Sequence, residues 1–484
     1  MNRPLAQLRI DALKIWRAGV AAVDSERLVR AAIRVEGNQL RVCAPGPDAA
    51  SDDQPPTEAI ETVDLSAVRR IIVVGGGKAG AGMAAGLEAA LGPRLLAEKH
   101  VQGWLNVPAD CVRPLSVIHL HAARAPGQNE PTAAGVAGAE EILKMVSAAD
   151  PADLCIALIS GGASALLPAP AAGVSLADKL ALTQHLSAAG ADIHELNTVR
   201  KQLSRIKGGG LKRACRAGRL ITLIISDVIG DPLDVIGSGP TVDDTGSAAK
   251  ALAILGRFRA RESGVSQQVF DYLQAQAGRG TLNRGAPPHC LVTNRIIANI
   301  GTAVDAAAAE ARRLGYTPTV IPPLAREGLA EQVGGQLARF VIGITRGLGP
   351  DCLISGGEPV VKLADPSIRG LGGRNQQLTL AAFEVLSAAK RDDFAFVAGG
   401  TDGEDGPCDA AGAVLDGQVI ADACAAGLDP ADYLRRNDAY HFFEPLGALV
   451  KTGPTQTNVG DLRVGVAARI ERRVIYANFM RSKS

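Results

Sequence analysis

Two glycine-rich turns carry residues suited to phosphate chemistry. The first, VVGGGKAGAG at residues 73–82, contains Lys78, and the second, SGGASA at residues 160–165, contains two serines. Each follows an apolar run and precedes an alanine-containing stretch, so that backbone N–H groups and a helix N-terminus would face a bound anion. A lysine at a helix start also favours a bound anion. We predict phosphate contacts from both turns, at Gly75, Gly76, Gly77 and Lys78 and at Ser160, Gly161, Gly162 and Ser164.

Other interpretations of these turns differ in their support. Gly75, Gly77 and Gly80 satisfy the dinucleotide pattern GxGxxG, with Glu98 at about the spacing of a ribose-binding carboxylate. The chain has no Walker A pattern, and Leu166 replaces the second glycine that a nucleophile elbow needs. Tight structural turns with a solvated lysine stay open as an alternative.

A basic segment and an acidic loop lie further along. In HELNTVRKQLSRIKGG, at residues 194–209, one helix face would carry Arg200, Ser204 and Lys207, and another would carry Lys201 and Arg205. We predict phosphate or carboxylate binding there, with a solvated charged face as the alternative. Asp227, Asp231 and Asp234 follow an apolar run. Such carboxylates suit Mg²⁺, and Asp227 could instead act as a general base, although an aspartate in a turn is often structural.

The second half of the chain also has charged residues directly after glycines. Glu358 follows a pair of glycines, and Arg374 opens an apolar stretch after GLGG, where a bound anion would account for a cation at a helix start. An acidic loop at residues 398–412 and a hydroxyl-rich loop at residues 452–459 come next. Both are candidates to face a ligand, and purely structural loops remain the alternative.

The elements that position these residues follow a strand, glycine loop, helix rhythm. Short β-branched or leucine-rich runs begin at Ile71, Leu154, Ile221, Leu353 and Phe394. This pattern predicts parallel α/β sheets, in which ligands bind beyond the carboxyl ends of the strands. A chain of 484 residues exceeds one ordinary core, and the segment GRGTLNRGAPPH at residues 278–289 favours a domain boundary there. The polar stretch at residues 48–58 is expected to be a surface excursion.

The composition of the chain indicates which kind of partner it binds. The 51 basic and 50 acidic residues nearly balance, so that no global field favours nucleic acid or a membrane, and a small-molecule ligand is expected. The eight cysteines show no metal-ligand spacing and are expected to be reduced thiols. The first residues show no secretory pattern, which predicts a cytoplasmic protein. A homodimer is one option for the oligomeric state.

Nine motifs in order resemble those of the class II glycerate 2-kinase family, whose C-terminal half is named the MOFRL domain. They are GGGKAG, SGGASALLPAP, DIHELNTVRKQLSRIKGG, SDVIGDPLDVIGSGPT, SGGEP, GGRNQQ, GTDGEDGPCDAAG, NDAYHFF and TGPTQTNVGDLRV. The resemblance extends from about residue 10 to the C-terminus. It implies a Rossmann-like N-terminal domain (residues 1–280), a C-terminal MOFRL-type α/β domain (residues 288–484) and an active site in the cleft between them.

The resemblance also implies an activity and a set of site residues. The activity would be ATP- and Mg²⁺-dependent phosphorylation of D-glycerate to 2-phospho-D-glycerate, with Lys78 and Arg374 essential and Asp227 binding metal or activating the substrate. Asp231 is a second candidate metal ligand. Further substrate or cleft residues would be Asn197, Glu358, Asn375, Gln376, Asp402, Thr455 and Asn458. The alternatives are a kinase for another small hydroxy acid, an NAD(P)H-dependent hydroxypyruvate reductase, and a non-catalytic sugar-acid or nucleotide-binding protein.

The chain departs from the family pattern at several positions. HAARAPGQNEPT, at residues 121–132, stands where a GHPVPD-like segment is usual. Ala163, Cys408 and Gln456 replace a glycine, a threonine and a glycine, respectively. These changes bear on substrate choice more than on phosphate binding.

Overall fold

The structure is a computed structural model that describes residues 4–43, 59–127, 130–278, 290–324, 326–346 and 350–468. The expected surface excursion at residues 48–58 lies outside the described residues, as do residues 279–289 of the expected boundary segment. The chain forms two compact units. The N-terminal unit comprises the described parts of residues 24–299 and 456–458, and the C-terminal unit those of residues 1–23, 300–455 and 459–484.

The N-terminal unit begins with a helix and a small antiparallel sheet and continues as alternating strands and helices. Its elements are α2 (Ser25–Ala32), β1 (Ile33–Glu36), β2 (Gln39–Cys43), β3 (Ala59–Asp64), β4 (Ile71–Gly76), α3 (Gly80–Glu98), β5 (Gln102–Pro108), β6 (Ile118–Arg124), α4 (Ala133–Ser147), β7 (Leu154–Ser160), α5 (Ala163–Leu166), α6 (Leu176–Ala188), α7 (Ile193–Gln202), α8 (Gly210–Ala214), β8 (Arg219–Ile225), α9 (Ala248–Arg257), α10 (Gln267–Gly278) and β9 (Leu291–Ala298).

The main sheet of this unit has the Rossmann strand order. Its order is β6-β5-β4-β7-β8-β9, and every neighbouring pair is parallel. Strands β4 and β7 are buried along their whole length, in keeping with their apolar sequences. The strand order reverses between β4 and β7, and in such sheets the crevice outside the carboxyl ends at this point binds ligands. The predicted parallel α/β fold is confirmed for this unit.

The C-terminal unit is built on a mixed sheet of order β10-β11-β15-β12-β13-β14. Its elements are α1 (Leu5–Ala22), α11 (Ile300–Arg313), β10 (Pro318–Ile321), α12 (Ala330–Arg346), β11 (Cys352–Gly357), α13 (Arg374–Ala388), β12 (Phe394–Gly400), β13 (Gly412–Asp416), α14 (Gly417–Ala425), α15 (Pro430–Arg435), α16 (Ala439–Phe443), β14 (Leu449–Val450) and β15 (Asp461–Ala467). Among the described strands of this unit, only β10 and β11 pair in parallel, and β15 is antiparallel to both β11 and β12. The prediction of a parallel sheet is therefore wrong for this unit.

The unit boundaries differ from the expected split at residues 280–288. Strand β9 pairs with β8 along its length and so completes the first sheet. Helix α1 belongs to the C-terminal unit, because the buried Trp16 donates its indole N–H to the Leu462 carbonyl at 3.1 Å. None of the described helices is long and apolar enough to cross a membrane.

Candidate functional site

The turn after β4 depends on glycine. Gly75 and Gly77 have φ values of 152° and 146°, which side chains rarely allow. A Cβ at Gly75 would lie 2.0 Å from the Leu158 carbonyl oxygen, and one at Gly77 would lie 2.0 Å from Ser160 Oγ. The glycines therefore let the first turn approach β7 closely.

The two predicted glycine turns are bonded to each other. The Lys78 N–H donates to the Gly161 carbonyl at 2.8 Å, and the Ala79 N–H donates to Ser160 Oγ at 3.0 Å. Ser160 is buried and ends β7. Both turns lie at the carboxyl ends of β4 and β7, where the strand order of the sheet reverses. This is the edge of the sheet at which the sequence predicts that ligands bind.

Two cationic side chains approach the second turn at Gly162. A Cβ placed there would lie 3.4 Å from Lys78 Cγ and 3.7 Å from Arg124 Nη2. Arg124 ends β6 and is only 6% exposed. Sequence reasoning missed Arg124, because the HAARAPGQNEPT segment was treated only as a departure from the family pattern. The available signal was an arginine that ends the short alternating segment IHLHAAR, which forms β6.

Two further cations converge on Ser164, which belongs to the short helix α5 of the second turn. Arg200 Nη2 donates to Ser164 Oγ at 2.8 Å, and Lys207 Nζ donates to the same oxygen at 2.7 Å and to the Ser164 carbonyl at 2.7 Å. Ser164 Oγ also lies 3.0 Å from Ser238 Oγ. The structure therefore brings together Ser164, Arg200 and Lys207, three of the residues that the sequence assigned to phosphate binding, and adds Ser238.

Among the described residues, neither Arg200 nor Lys207 forms an ion pair with a carboxylate. Burial lowers the pKa of Lys207 well below its ordinary value, and the charges of Arg200 and Lys179 lower it further. Burial likewise lowers the pKa of Arg200, and burial together with Arg200 lowers the pKa of Lys179 to about 7. Lys179 donates to the Leu203 carbonyl at 3.0 Å. Such a concentration of positive charge is suited to an anion.

The basic segment differs in detail from its predicted form. Helix α7 ends at Gln202, so that Lys207 lies beyond it, and the prediction of Arg200, Ser204 and Lys207 on one helix face is wrong. Lys201 pairs with Asp234 at 3.3 Å and with Asp244 at 3.7 Å, and Arg205 pairs with Glu140. Two bonded carboxylates already balance the charge of Lys201. The half-buried Asn197 lies within α7.

Asp227 stands directly beside the second turn. A Cβ at Gly161 would lie 2.4 Å from Asp227 Oδ2 and 2.4 Å from Asn458 Nδ2, and this amide donates to Asp227 Oδ2 at 3.3 Å. Asp231, whose φ is 53°, accepts from Asn299 Nδ2 at 2.5 Å. The structure thus brings Asp227 and Asn458 to the glycine turns.

The carboxylate at this position fits Mg²⁺ in an open site. Mg²⁺ usually takes one or two carboxylates and completes its shell with phosphate oxygens and water. Asp227 offers such a carboxylate next to the turn that the sequence assigns to phosphate. No cluster of three or more His, Cys, Asp or Glu side chains that could enclose a metal occurs within the described residues.

In the C-terminal unit, Arg374 is the first residue of α13 and is held by carboxylates. Its Nε and Nη2 donate to the two oxygens of Asp461 at 2.7 and 3.0 Å, and its Nη1 donates to Glu358 Oε1 at 2.6 Å. Burial works against the charged form, but Asp461 and then Glu358 raise the pKa of Arg374 above its ordinary value. A bound anion is therefore not needed to account for this cation at a helix start.

Asp405 fixes the start of the same helix. Its carboxylate accepts from the backbone N–H of Asn375 at 2.9 Å and of Gln376 at 2.8 Å. Burial raises the pKa of Asp405 to about 7, although these two N–H groups lower it. The side chains of Asn375 and Gln376 are themselves buried and donate to Asp405, at 3.2 Å to Oδ1 and at 3.3 Å to the carbonyl. Both amides thus hold the acidic loop in place.

The acidic and hydroxyl-rich loops are bonded to each other within the C-terminal unit. The Thr455 N–H donates to the Asp402 carbonyl at 3.1 Å, and Thr455 Oγ1 donates to the Thr401 carbonyl at 2.5 Å. Asp402 Oδ1 accepts from the Glu404 N–H at 3.1 Å. Sequence reasoning had missed Asp461 and Asp405, whose roles depend on partners 87 and 30 residues away.

The dinucleotide interpretation of the first turn requires a carboxylate that the structure does not place near this turn. Glu98 is the last residue of α3, and its neighbour Lys99 accepts through its carbonyl from the Ile71 N–H at 3.0 Å, at the start of β4. Glu98 therefore lies at the end of the sheet away from the glycine turns. Its carboxylate pairs instead with Arg94 on the exposed helix surface.

Comparisons with known proteins give consistent family matches. The model of a domain of unknown function, DUF4147, matches residues 11–274, and the MOFRL family model matches residues 351–461. A glycerate kinase of Danio rerio is 33% identical, covering 95% of this chain and 98% of the relative. A putative hydroxypyruvate reductase of Agrobacterium vitis is 39% identical over 81% of this chain and 98% of its own.

The same similarity extends to solved structures. The crystal structure of a glycerate kinase from Thermotoga maritima superposes with a TM-score of 0.74 at 31% identity, covering 96% of this chain and 100% of that one. The two-unit α/β layout is therefore shared along nearly the whole chain.

Proposed function

Because the chain belongs to the glycerate kinase family, with its DUF4147 and MOFRL regions, we propose that it transfers the γ-phosphoryl group of ATP to the 2-hydroxyl of D-glycerate. One observation carries the proposal. The bonded glycine turns after β4 and β7 are accompanied by Lys78, Arg124, Arg200 and Lys207, where a Rossmann sheet binds its ligand. Phosphoryl transfer requires mainly such positioning and charge.

The phosphates of ATP would occupy the second turn. Successive N–H groups of a glycine turn and nearby cations bind phosphate oxygens well. Lys78 would stabilise the charge that develops on the transferring group, because a fixed cation near that charge lowers the barrier. Mg²⁺ held by Asp227, with Asp231 as a second candidate ligand, would neutralise phosphate charge.

In the alternative role that the sequence leaves open for it, Asp227 would act on the acceptor instead of on the metal. As the glycerate 2-hydroxyl oxygen forms its bond to phosphorus, the bond from phosphorus to the ADP oxygen breaks and the hydroxyl proton must leave. We assign acceptance of this proton to the Asp227 carboxylate, which Asn458 orients by a hydrogen bond. Products are ADP and 2-phospho-D-glycerate.

Arg374 supplies the second essential cation in this proposal. Arginine has five N–H donors, of which carboxylates take three here. The remaining two suit a carboxylate or phosphate group of the substrate. Asp461 and Asp405 act as positioning residues, since they fix the guanidinium and the start of α13.

The first experiment measures ADP formation by the purified protein with ATP and Mg²⁺, with and without D-glycerate. The proposal expects ADP only when D-glycerate is present, and a fall in kcat of roughly 100- to 1000-fold in Lys78→Met, the range found when one stabilising donor is removed. Lys250→Met, which removes one exposed positive charge from α9, serves as the matched control and keeps full activity. A folded Lys78→Met protein with full turnover would overturn the role of Lys78.

One relative's name provides a second candidate function, reduction of hydroxypyruvate by NAD(P)H. The position of Glu98 argues against it. Oxidation of NADH by hydroxypyruvate, without ADP formation from D-glycerate, would support this alternative. A cytoplasmic location and a homodimer stay predictions.

A further inference from the structure

A basic pocket lies around the second turn and extends beyond the residues that the sequence assigned. We define it by Lys179, Arg200, Lys207, Ser164 and Ser238. Lys207 is 3% exposed. Lys179 and Arg200 are half-buried, and the described residues place no carboxylate in an ion pair with any of the three cations. Repulsion and burial both act against their charges. The three side chains can all carry their charge when an anion binds among them.

The hydrogen bonds of Ser164 define how Ser238 can act. A serine hydroxyl has one proton to donate and two lone pairs to accept with. Ser164 Oγ accepts from Arg200 and from Lys207, so that its single proton is left for Ser238 Oγ, 3.0 Å away. The Ser238 proton is then available to a ligand that binds beside it.

The backbone at Ser238 adds an independent observation. Ser238 has a φ of 65°, between Gly237 at 56° and Gly239 at 61°. A non-glycine residue in this left-handed region is uncommon and strained, and such residues concentrate at binding sites. Glycine would fit the backbone better here, and yet the chain places a hydroxyl at this point, buried to 1% exposure.

We propose that Lys179 and Ser238 complete a phosphate-binding site with Ser164, Arg200 and Lys207, and that Lys179 takes up a proton when a phosphate dianion binds. The inference rests on the proposed function only in identifying the ligand as a phosphate group of the reaction. Three cations and a hydroxyl donor match a dianion with three terminal oxygens better than they match a carboxylate.

The surroundings of Lys179 support the proton uptake. Arg200 of α7 and Lys207 of the following segment face it with positive charge, and the Leu203 carbonyl accepts from its Nζ. On its own helix, Asp178 is bonded into the capping box with Ser175. The pKa of Lys179 is lowered to about 7 by burial and by Arg200. At pH 8 the unliganded lysine is therefore largely neutral, and a bound dianion favours its charged form.

The test uses isothermal titration calorimetry on the full chain, without D-glycerate. The probes are ADP, 2-phosphoglycerate and sulfate, at pH 8 in buffers that differ in ionisation enthalpy. Sulfate is included because it does not titrate near neutral pH. The wild-type protein is expected to take up protons when it binds an anion, and Lys179→Met to take up measurably fewer. Lys250→Met is the control for loss of one charge and behaves as wild type.

The Ser238→Gly variant tests the effect on binding without weakening the fold. It removes the hydroxyl and relieves the backbone, so that Tm is expected to stay the same or rise. The Kd of the bound phosphate compound is expected to increase roughly 10- to 100-fold, as for loss of a hydrogen bond to a charged group. Weaker binding of ADP alone assigns the site to a nucleotide phosphate, and weaker binding of 2-phosphoglycerate alone assigns it to the product.

Three results would overturn the inference: wild-type protein that binds none of the probes, unchanged Kd values in Ser238→Gly, or undiminished proton uptake in Lys179→Met. These results are distinct from failure of the proposed function. A protein that binds ADP in this pocket without phosphorylating D-glycerate would refute only the function. A protein that phosphorylates D-glycerate with unchanged affinities in both variants would refute only the inference.

Discussion

Gly161 leaves the space that the side chains of Asp227 and Asn458 occupy. In Gly161→Ala, the new Cβ would lie 2.4 Å from Asp227 Oδ2, whereas ordinary contact begins at 3.4 Å. The carboxylate must therefore retreat by about 1 Å, the difference between these two distances. The clashing atoms are the ends of side chains, and the φ of Gly161 is not in the left-handed region, so the fold tolerates alanine.

A displacement of about 1 Å at a reacting group costs on the order of 100-fold in rate. We expect kcat for ADP formation with D-glycerate to fall by this factor in Gly161→Ala, while Tm changes by no more than a few degrees. Steady-state kinetics at saturating ATP and thermal unfolding followed by circular dichroism measure the two quantities.

The matched control is Gly256→Ala, an exposed position in the last turn of α9. No atom lies within 4 Å of a Cβ at this position, so alanine is expected to stabilise the helix by about 0.5–1 kcal/mol and leave kcat unchanged. A Gly161→Ala enzyme with wild-type kcat would refute the role of Asp227. A large fall in its Tm would refute the claim that only side-chain ends must move.

Three further predictions address the fold and the C-terminal unit. Gly75→Ala places a Cβ 2.0 Å from a backbone oxygen at a φ of 152°, so we expect little soluble protein on expression. Arg374→Lys cannot bind Asp461 through two parallel bonds, so kcat and Tm should both fall, the latter from a loss of about 1–3 kcal/mol. Because burial raises the pKa of Asp405 to about 7, its stabilising contribution is complete below pH 4 and is lost as pH rises to about 7. Tm measured against pH should fall less steeply across this window in Asp405→Asn.

Local sequence was enough to predict the strands that begin at Ile71 and Leu154 and the glycine turns after them. The apolar runs at Ile71 and Leu154 become the buried strands β4 and β7, because a strand covered on both faces requires apolar side chains throughout. The turns that follow them were predicted to lie beyond the carboxyl ends of parallel strands, where such sheets bind ligands. Their direct hydrogen bonds agree with this expectation.

Pairing across long stretches of chain could not be predicted. Lys201 and Lys207 look alike in the sequence, yet Asp234 and Asp244 balance the charge of Lys201 and no described carboxylate pairs with Lys207. Likewise, nothing near Arg374 in the sequence indicates Asp461 as its partner. Such roles depend on tertiary structure, which brings together side chains that local patterns treat independently.

Local sequence patterns also could not predict the unit to which each helix or strand belongs. The Gly- and Pro-rich segment suggested a boundary, but strand β9, which follows it, pairs with β8 of the first sheet. Helix α1 precedes the N-terminal unit in sequence and packs on β15 through Trp16. The strand with which a strand forms hydrogen bonds determines the sheet to which it belongs. The surface that buries the apolar face of a helix determines the unit to which the helix belongs.

The central claim, transfer of phosphate to the 2-hydroxyl of D-glycerate, is tested most directly by proton-coupled ³¹P NMR of the product formed from ATP, Mg²⁺ and D-glycerate. The account predicts a phosphate ester resonance split into a doublet by the single proton on carbon 2, matching authentic 2-phosphoglycerate. A triplet, from the two protons on carbon 3, would contradict the assigned position, and the absence of any phosphorylated glycerate would contradict the kinase itself.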